Sequence, residues 1–558
     1  MSRLVNRQVL RELSEPHVQQ RMTWWRLPLH RPTDSHVGGI DRITYVSWTA
    51  VILLAGFVLR LARVPRVIYL DEAWVVNSVV DLTWRDMLFN PKWLPIPPPA
   101  FLVVLRGILR LIGPTEMRVE LLFLVVSVAV MIAAAILGRQ LFDRPGALAF
   151  TAIMALSPVA LGRSTQVKWY GSDLLIVCLI LILLAGYLRA PSHSRYLAIV
   201  ASLIAALAFS YTAVFLVLPA CWIVWRAGPR AGQWLRLAAC AVSPAIAGFL
   251  IWYAFVYPYR NNSNMRQYWV QFFPPAGPAI ARYYAHRFAD LALFIYYPST
   301  FSSRLIPAGI GLVLIYGAWS LFPSTRNKDS RRELAMATAF FPLATLLTLN
   351  AVRLYPLGGE RTNLFALPSL AVLFVAGVEG SARLLRRIRP FPVAPILSVA
   401  LALWIFAAVV SIRGESSAVA ADVPQALQFL QQNSAPGDAI LLHPTLDEQF
   451  RFYRRLAPDP PGEFVTGAVG YTCCMRSGPF IIGPIPTEVL LADFGRVLDT
   501  TSSKKVWYVY DDSLGGPSAT KRDERGQLLL AVRQRGCRIS EPRYFGGISV
   551  DEIACTFP

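Results

Sequence analysis

Charge is what this sequence has least of. Only 16% of its 558 residues are Asp, Glu, Lys or Arg, against roughly 25% in an average soluble domain. That scarcity excludes a disordered chain, whose signature is low hydrophobicity with high charge. It does not fit a purely soluble enzyme either. Cysteine is sparse too: there are seven, none in CxxC spacing, so nothing supports a zinc site. Cys178, Cys221 and Cys240 lie in apolar runs and read as small hydrophobes. Cys473, Cys474, Cys537 and Cys555 lie in a polar C-terminal stretch, where a disulfide such as Cys537–Cys555 can form if that stretch faces an oxidising compartment. Internal repeats and low-complexity segments are missing. So is a cleavable signal peptide, because the first apolar run starts near Tyr45, behind an Arg-rich tail.

What the chain does have is apolar length. Hydrophobic residues make up 55% of it. A spanning helix needs about 20 mainly apolar residues. Such runs occur near 44–62, 119–138, 146–163, 170–188, 196–209, 211–225, 235–256, 305–322, 334–352, 364–382 and 392–412. The stretch 196–225 is too long for one helix and divides at Ser210–Tyr211. The run 95–113 is short and carries Arg106 and Arg110 one turn apart. A mid-membrane Arg costs roughly 2.5–3.5 kcal/mol on insertion scales, so this run reads as an interfacial or re-entrant helix. The expected fold class is an α-helical polytopic membrane protein with about eleven transmembrane helices, surface-lying helices in the first outside loop, and a small C-terminal α/β domain.

The charge that exists is unbalanced, with 54 Lys and Arg against 34 Asp and Glu, a net of +20. In a soluble protein that excess points to nucleic acid; here position decides. With the N-terminus inside, the loops around Arg139/Arg144, Arg189/Arg195, Arg226/Arg230/Arg236, Arg326/Lys328/Arg331/Arg332 and Arg383/Arg386/Arg387/Arg389 all fall inside. The excess is then an orientation signal, and no nucleic-acid partner is expected. The same parity puts 64–118, 164–169, 257–304, 351–363 and everything after 413 outside. The expected domains are a cytoplasmic basic tail over 1–43, with Trp24 and Trp25 at the interface, a membrane domain over 44–412, and an extracytoplasmic α/β domain over 413–558. Within the last, QALQFLQQNSAPGDAILLHP reads as helix, Gly-Asp turn and strand, and KKVWYVYDD as a strand. Residues 518–535 read as a helix, and a hairpin is expected around Gly546–Gly547.

Three outside segments hold the chemistry. VIYLDEAWVVNSVVDLTWRDML predicts an amphipathic surface helix, with Val76, Val79, Val80, Thr83 and Met87 on one face and Glu72, Asp81 and Arg85 on the other. Asp71 and Glu72 stand at its start. Asp71 is either a helix N-cap or a catalytic base at the membrane edge. STQVKWYGSDLL puts Lys168, Tyr170 and Asp173 at the outer end of a span. Interfacial anchoring explains Lys and Tyr there, but a positive charge outside runs against the bias, and a phosphate ligand would account for it. AVRLYPLGGERTNLFALP gathers Arg353, Tyr355, Glu360, Arg361 and Asn363 beside Gly358 and Gly359, which permit positive φ. A tight turn with a Glu360–Arg361 salt bridge is the plainer reading of that loop. The three segments share one face of the membrane.

A basic tail, one span, then an acidic pair opening a surface helix resembles the GT-C membrane glycosyltransferases. More narrowly, it resembles their protein O-mannosyltransferase and aminoarabinose-transferase branch. The likeness covers most of 44–412, through Asp71, QVKWYGSD and YPLGGERT. PIPPPAF departs from the pattern, with no basic residue directly before Pro97–Pro98–Pro99, and so does Glu116 followed by Arg118 and Glu120. The resemblance implies a GT-C-like fold in a bacterial cytoplasmic (inner) membrane. It implies a polyprenyl-phosphate-sugar donor drawn from the bilayer, a glycan, lipid or protein acceptor, and inverting transfer of a hexosyl or pentosyl group. Asp71 would be the general base, with Glu72 tuning it or helping to hold a metal. Lys168, Arg361 and Arg353 would bind the donor phosphate, with Tyr170 positioning it. Asp173, Tyr355, Glu360 and Asn363 would be further cavity residues. No cofactor is specified, though the acidic pair leaves a divalent metal open. The alternative is a transporter or flippase of a lipid-linked sugar. The long loop 64–118, the lack of a repeat and the few carboxylates within the spans stand against it.

Overall fold

The computed structural model describes residues 40–64, 67–89, 97–163, 165–259, 269–292, 294–295, 305–322, 329–358, 362–388, 422–466, 487–500, 505–512 and 519–555. From the N-terminal side, α1 (Arg42–Leu61) is followed by α2 (Leu70–Asp81), α3 (Trp84–Phe89) and α4 (Pro99–Ile112). Next come α5 (Glu116–Leu141), α6 (Arg144–Leu156), α7 (Pro158–Gly162), α8 (Tyr170–Arg189) and α9 (His193–Phe209). A 3₁₀ turn at Tyr211–Leu216 leads into α10 (Val217–Ala227), and α11 (Gln233–Ile251), α12 (Ala279–Ala292), α13 (Leu305–Leu321), α14 (Ser330–Ala351) and α15 (Leu367–Ile388) complete the helical part.

Among the described residues, seven helical stretches are long and apolar enough to cross a membrane, and three shorter apolar ones accompany them at His193–Phe209, Tyr211–Ala227 and Ala308–Leu321. This is a multi-pass membrane protein. The run 392–412 lies outside the described residues. The expected division at Ser210–Tyr211 is present: Ser210 leaves the helix with extended φ −157° and ψ 112°, and the 3₁₀ turn begins behind it. The chain also breaks between α6 and α7, where Pro158 opens the new helix and the Ser157 hydroxyl donates to the Phe294 carbonyl at 2.7 Å.

The short run 95–113 forms α4, fourteen residues long. At about 1.5 Å per residue it reaches roughly 21 Å, short of a hydrocarbon core about 30 Å thick. Its apolar face, Phe101, Leu102, Leu105 and Leu109, is buried. Its arginines find partners within the first loop. Arg106 stacks 4.5 Å above the Trp84 ring and donates to the Leu82 carbonyl at 2.6 Å, and Arg110 lies 5.5 Å from the same ring.

The amphipathic segment after α1 differs from expectation in two ways. It is two helices, not one, because Thr83 starts a second cap: its hydroxyl accepts from the Asp86 amide at 3.1 Å and donates to the Asp86 carboxylate at 2.8 Å. Part of its polar side is also covered, with Glu72 3% exposed and Asn77 1% exposed, while Asp81 and Arg85 stay exposed. Glu72 is met by the Val167 amide, and Asn77 is covered by the C-terminal part of the chain, whose composition gave no hint of where it would dock.

That part folds as a small sheet domain. Its elements are α16 (Val423–Asn433), β1 (Ala439–Leu442), α17 (Asp447–Arg454), β2 (Glu463–Thr466), α18 (Thr487–Thr500), β3 (Lys505–Asp511), α19 (Ala519–Gln534), β4 (Cys537–Ile539), β5 (Arg543–Phe545) and β6 (Ile548–Cys555). The strand order is β2-β1-β3-β6-β4, with β5 also on β6. β1 runs parallel to β2 and β3, and β6 runs antiparallel to β3, β4 and β5. A disulfide joins Cys537 to Cys555, which face each other across β4 and β6; Cys473 and Cys474 lie outside the described residues.

Strand alternation divides the sheet's side chains between two cores. Ala439, Leu441, Val506 and Tyr508 pack with α18 and α19. Ile440, Leu442, Trp507 and Val509 belong to one continuous core with Ile68, Val76 and Val79 around α2 and with Leu105 of α4. The polar seam above that core is specific. Asn77 Nδ2 donates to the Glu448 carboxylate at 2.5 Å and to the Glu448 carbonyl at 2.8 Å, while Arg455 donates to Asn77 Oδ1 at 2.9 Å. Arg451 and Arg455 both pair with Asp81.

Burial pushes the Glu448 carboxyl up from 4.5 to about 7, against the opposing Asn77 hydrogen bond and with Asp447 adding to the rise. A carboxyl raised in the folded state binds its proton more tightly there than in the unfolded chain. Its contribution is therefore greatest at low pH and is lost as pH climbs through that window. The thermal midpoint should fall between about pH 5 and 7, and Glu448→Gln should flatten that part of the slope in a pH series of unfolding curves.

Candidate active site

Asp71 and Glu72 occupy the first turn of α2 but do different work. The residue before the helix is Tyr69, and its amide donates to Glu72 Oε2 at 3.0 Å. Glu72 thus closes the cap, in the manner of a capping box, and the N-cap reading of Asp71 does not hold. The second Glu72 oxygen accepts the Val167 amide at 3.1 Å. One buried carboxylate therefore fastens the start of α2 to the 165–169 loop. Lys168, next along that loop, reaches Asp71: Nζ lies 3.5 Å from Oδ2, with side-chain exposures of 5% for the lysine and 29% for the aspartate. A buried ammonium is costly unless paired, and Asp71 supplies its counter-charge while keeping an accessible edge.

That edge opens on a small pocket lined by Tyr69, Asp71, Glu72, Arg163, Gln166 and Lys168. Arg163 and Gln166 come from the turn after α7 and were not among the residues expected from the sequence. Arg163 closes the apolar run 146–163, which hides it as one more cation on the outer side. The wall holds two cations and two carboxylates, one of which is spent on backbone amides. These groups do not fit a divalent metal: the open carboxylate already faces an ammonium. Among the described residues, no group of three or more His, Cys, Asp or Glu could hold a metal ion.

The other expected residues that the structure describes are not among those lining this pocket. Tyr170 and Asp173 stand in the first turn of α8; Tyr170 is 9% exposed with its ring 5.2 Å from Trp169. Asp173 is buried and hydrogen-bonded to Ser210. Tyr355 sits close to both. Burial pushes its phenol well above the ordinary value, with Asp173 and then Tyr170 adding to the effect. Its hydroxyl donates to the Thr362 carbonyl at 2.7 Å, and its ring stands edge-on to Phe215 at 5.0 Å. Asn363 is fully buried and donates to the Pro356 carbonyl at 3.2 Å. Tyr355 and Asn363 therefore tie residues 355–356 to 362–363. Gly358 has φ 86°, and a Cβ there would sit 2.4 Å from Cδ of Arg287, so only glycine fits. Arg353 is exposed, with φ 58°, and donates to the Pro274 carbonyl at 2.8 Å. Gly359, Glu360 and Arg361 lie outside the described residues.

Glu72→Gln replaces one acceptor oxygen with a donor, leaving either the Tyr69 or the Val167 amide unsatisfied. An unsatisfied buried polar group costs about 1–3 kcal/mol. The variant should unfold at a lower temperature than the wild type in a thermal scan, and a midpoint equal to wild type would refute the fastening role.

No family model matches the sequence, and no curated protein matches it. Among solved structures, the chain is similar to the Archaeoglobus fulgidus oligosaccharyltransferase in the apo form, at 11% identity and TM-score 0.46, over 85% of this chain and 70% of that one. It is similar to AglB of the same organism in complex with an inhibitory peptide and a dolichol-phosphate, at 12% identity and TM-score 0.47, over 89% and 72%. It is also similar to ArnT from Cupriavidus metallidurans bound to undecaprenyl phosphate, at 16% identity and TM-score 0.41, over 91% and 97%.

Proposed function

We propose that this chain is a membrane glycosyltransferase. It would move a sugar from a polyprenyl-phosphate donor to an acceptor on the Asp71 side of the membrane, with inversion at the anomeric carbon. The observation that carries the reading is the asymmetry of the pocket. One carboxylate, Asp71, is open and paired with a buried ammonium at 3.5 Å, while the other, Glu72, is engaged by two backbone amides. A glycosidase needs two working carboxyl groups, one of them to protonate the leaving oxygen. A phosphate leaving group needs no such proton; it needs cations aimed where charge develops.

The acceptor hydroxyl or amine gives its proton to Asp71 as its oxygen or nitrogen bonds to the anomeric carbon. The bond from that carbon to the phosphate oxygen breaks, and its electron pair leaves with the lipid phosphate. Lys168 and Arg163, both on the pocket wall, neutralise the departing anion. Arg361 would add a third cation, by the resemblance noted from its motif. Tyr170, at the mouth of α8, orients the phosphate, and Glu72 keeps Asp71 and Lys168 in register.

Two further observations support an extracytoplasmic site. Arg139, Arg189 and Arg226 close α5, α8 and α10 at the ends away from the pocket, as expected of the cytoplasmic side. The domain on the pocket side carries a disulfide, which suits an oxidising compartment.

The test is sugar transfer from undecaprenyl-phosphate-linked hexoses and pentoses by the protein in lipid nanodiscs. Asp71→Asn should abolish transfer while the chain still expresses and folds, with a thermal midpoint below wild type because the buried Lys168 ammonium loses its counter-charge. Lys168→Met should lower kcat by about 10²–10³, the usual cost of losing a transition-state charge partner. Retained activity in Asp71→Asn would remove that residue from the mechanism. Movement of the lipid-linked sugar across reconstituted vesicles without transfer would favour the transporter reading.

A further inference from the structure

The Asp71 helix is entered through a short irregular segment, residues 67–69. A segment without helix or strand must find partners for its peptide groups elsewhere. At Ile68, which is fully buried, each peptide group is bonded by a side chain of α17 in the C-terminal domain, and the amide also faces the Glu116 carboxylate. The Ile68 amide donates to the Tyr453 hydroxyl oxygen at 2.8 Å, and the Ile68 carbonyl accepts from Gln449 Nε2 at 3.1 Å. Tyr453 is itself fixed, because its hydroxyl donates to Glu116 at the start of α5 at 2.9 Å. Neither gripping side chain has room to wander: Tyr453 is 4% exposed and Gln449 1%.

We propose that Tyr453 and Gln449 are positioning residues for the reaction, holding the Asp71 carboxylate in place by gripping the Ile68 peptide three residues ahead of it. The proposal rests on the reading of Asp71 as the base. It gives the C-terminal domain a role in catalysis through the backbone, with no contact to substrate. Asp71 lies between two fastenings, the Ile68 grip before it and the Glu72 bond to Val167 one residue after it. Remove the first, and the opening turn of α2 can pivot about the second. Productive geometry tolerates shifts of only about 0.5 Å, and a displacement of about 1 Å can cost on the order of 10² in rate. The domain stays docked without the grip. Asn77 and Asp81, farther along α2, remain tied to Glu448, Arg451 and Arg455, and the shared apolar core is untouched.

Tyr453→Phe keeps the buried ring and removes only the hydroxyl; Gln449→Leu keeps the bulk and removes the donor. Each full-length variant in nanodiscs is compared with wild type in three measurements. These are kcat and donor KM for undecaprenyl-phosphate-linked sugars, the number of undecaprenyl phosphate sites per chain, and amide hydrogen exchange. The expected result is kcat lower by about tenfold or more, with KM and site number unchanged, and faster exchange confined to 67–73. Unchanged exchange there overturns the grip. Faster exchange with unchanged kcat overturns the positioning role, as does a fall in site number with full turnover per remaining site, the mark of a merely structural residue. If the wild type transfers no sugar at all, the functional reading fails by itself. Exchange then decides whether α17 sets the entry to α2.

Discussion

The carboxylate of Glu72 joins two pieces of chain that lie far apart in the sequence. It accepts one amide from the residue that caps α2 and another from Val167, ninety-five positions along the sequence. Neither bond alone would be unusual. Together they make the distance between Asp71 and Lys168 a property of the backbone, so that two flexible side chains need not find each other. An exposed ion pair pays side-chain entropy and returns little. Here the lysine is buried, the aspartate is anchored in a helical first turn, and the residue between aspartate and loop is already committed. The price of this arrangement is one acid: of two adjacent carboxylates, one becomes scaffold so that the other can be placed.

The scaffold extends well beyond the pocket. α2 has a continuous apolar core with α4 on one side and the C-terminal sheet on the other. A helix expected to lie at the membrane surface is instead held between two layers, with its polar residues turned into a seam of Asn77, Glu448, Arg451, Arg455 and Asp81. That packing resists tilting about the helix axis better than a lipid interface would, since protein interiors are close-packed and specific. α4 adds a stop from below, with Arg106 locked between Trp84 and the Leu82 carbonyl.

What could be read from the sequence was what depends on neighbours along the chain. Run length located the apolar helices, and hydropathy with paired arginines separated 95–113 from a true span. Ser210 marked the break in 196–225, and Gly-Asp and Gly-Gly marked the turns of the sheet domain, where Gly437 and Gly546 indeed have positive φ. The disulfide was one pairing among several open to the C-terminal cysteines. What could not be read depends on partners far away. Nothing local divides the roles of Asp71 and Glu72, because the division is made by the Val167 amide. Nothing local says that Glu72 and Asn77 are buried, because Glu72 meets the Val167 amide ninety-five residues on and Asn77 meets Glu448 of helix α17, 371 residues on. Arg353 looked like a cation for the site because it breaks the charge bias, yet a positive φ and the Pro274 carbonyl turn it elsewhere. Arg163 was missed for the opposite reason, having been absorbed into a hydrophobic run.

The pairing of Asp71 with Lys168 also bears on how the proposed reaction balances its charges. A polyprenyl-phosphate sugar carries one negative charge as a diester. When the sugar departs, the lipid phosphate gains a second. In the same step Asp71 takes a proton and loses its own. Negative charge thus passes from the carboxylate to the phosphate while its sum is unchanged, and a cation within reach of both sees little net change across the barrier. A rigidly held ammonium is suited to that task, since preorganised charge costs no reorganisation as the reaction proceeds. A second free carboxylate beside it would oppose the phosphate as it became a dianion. On this account, tying Glu72 to two backbone amides both builds the site and shields the leaving group from its charge.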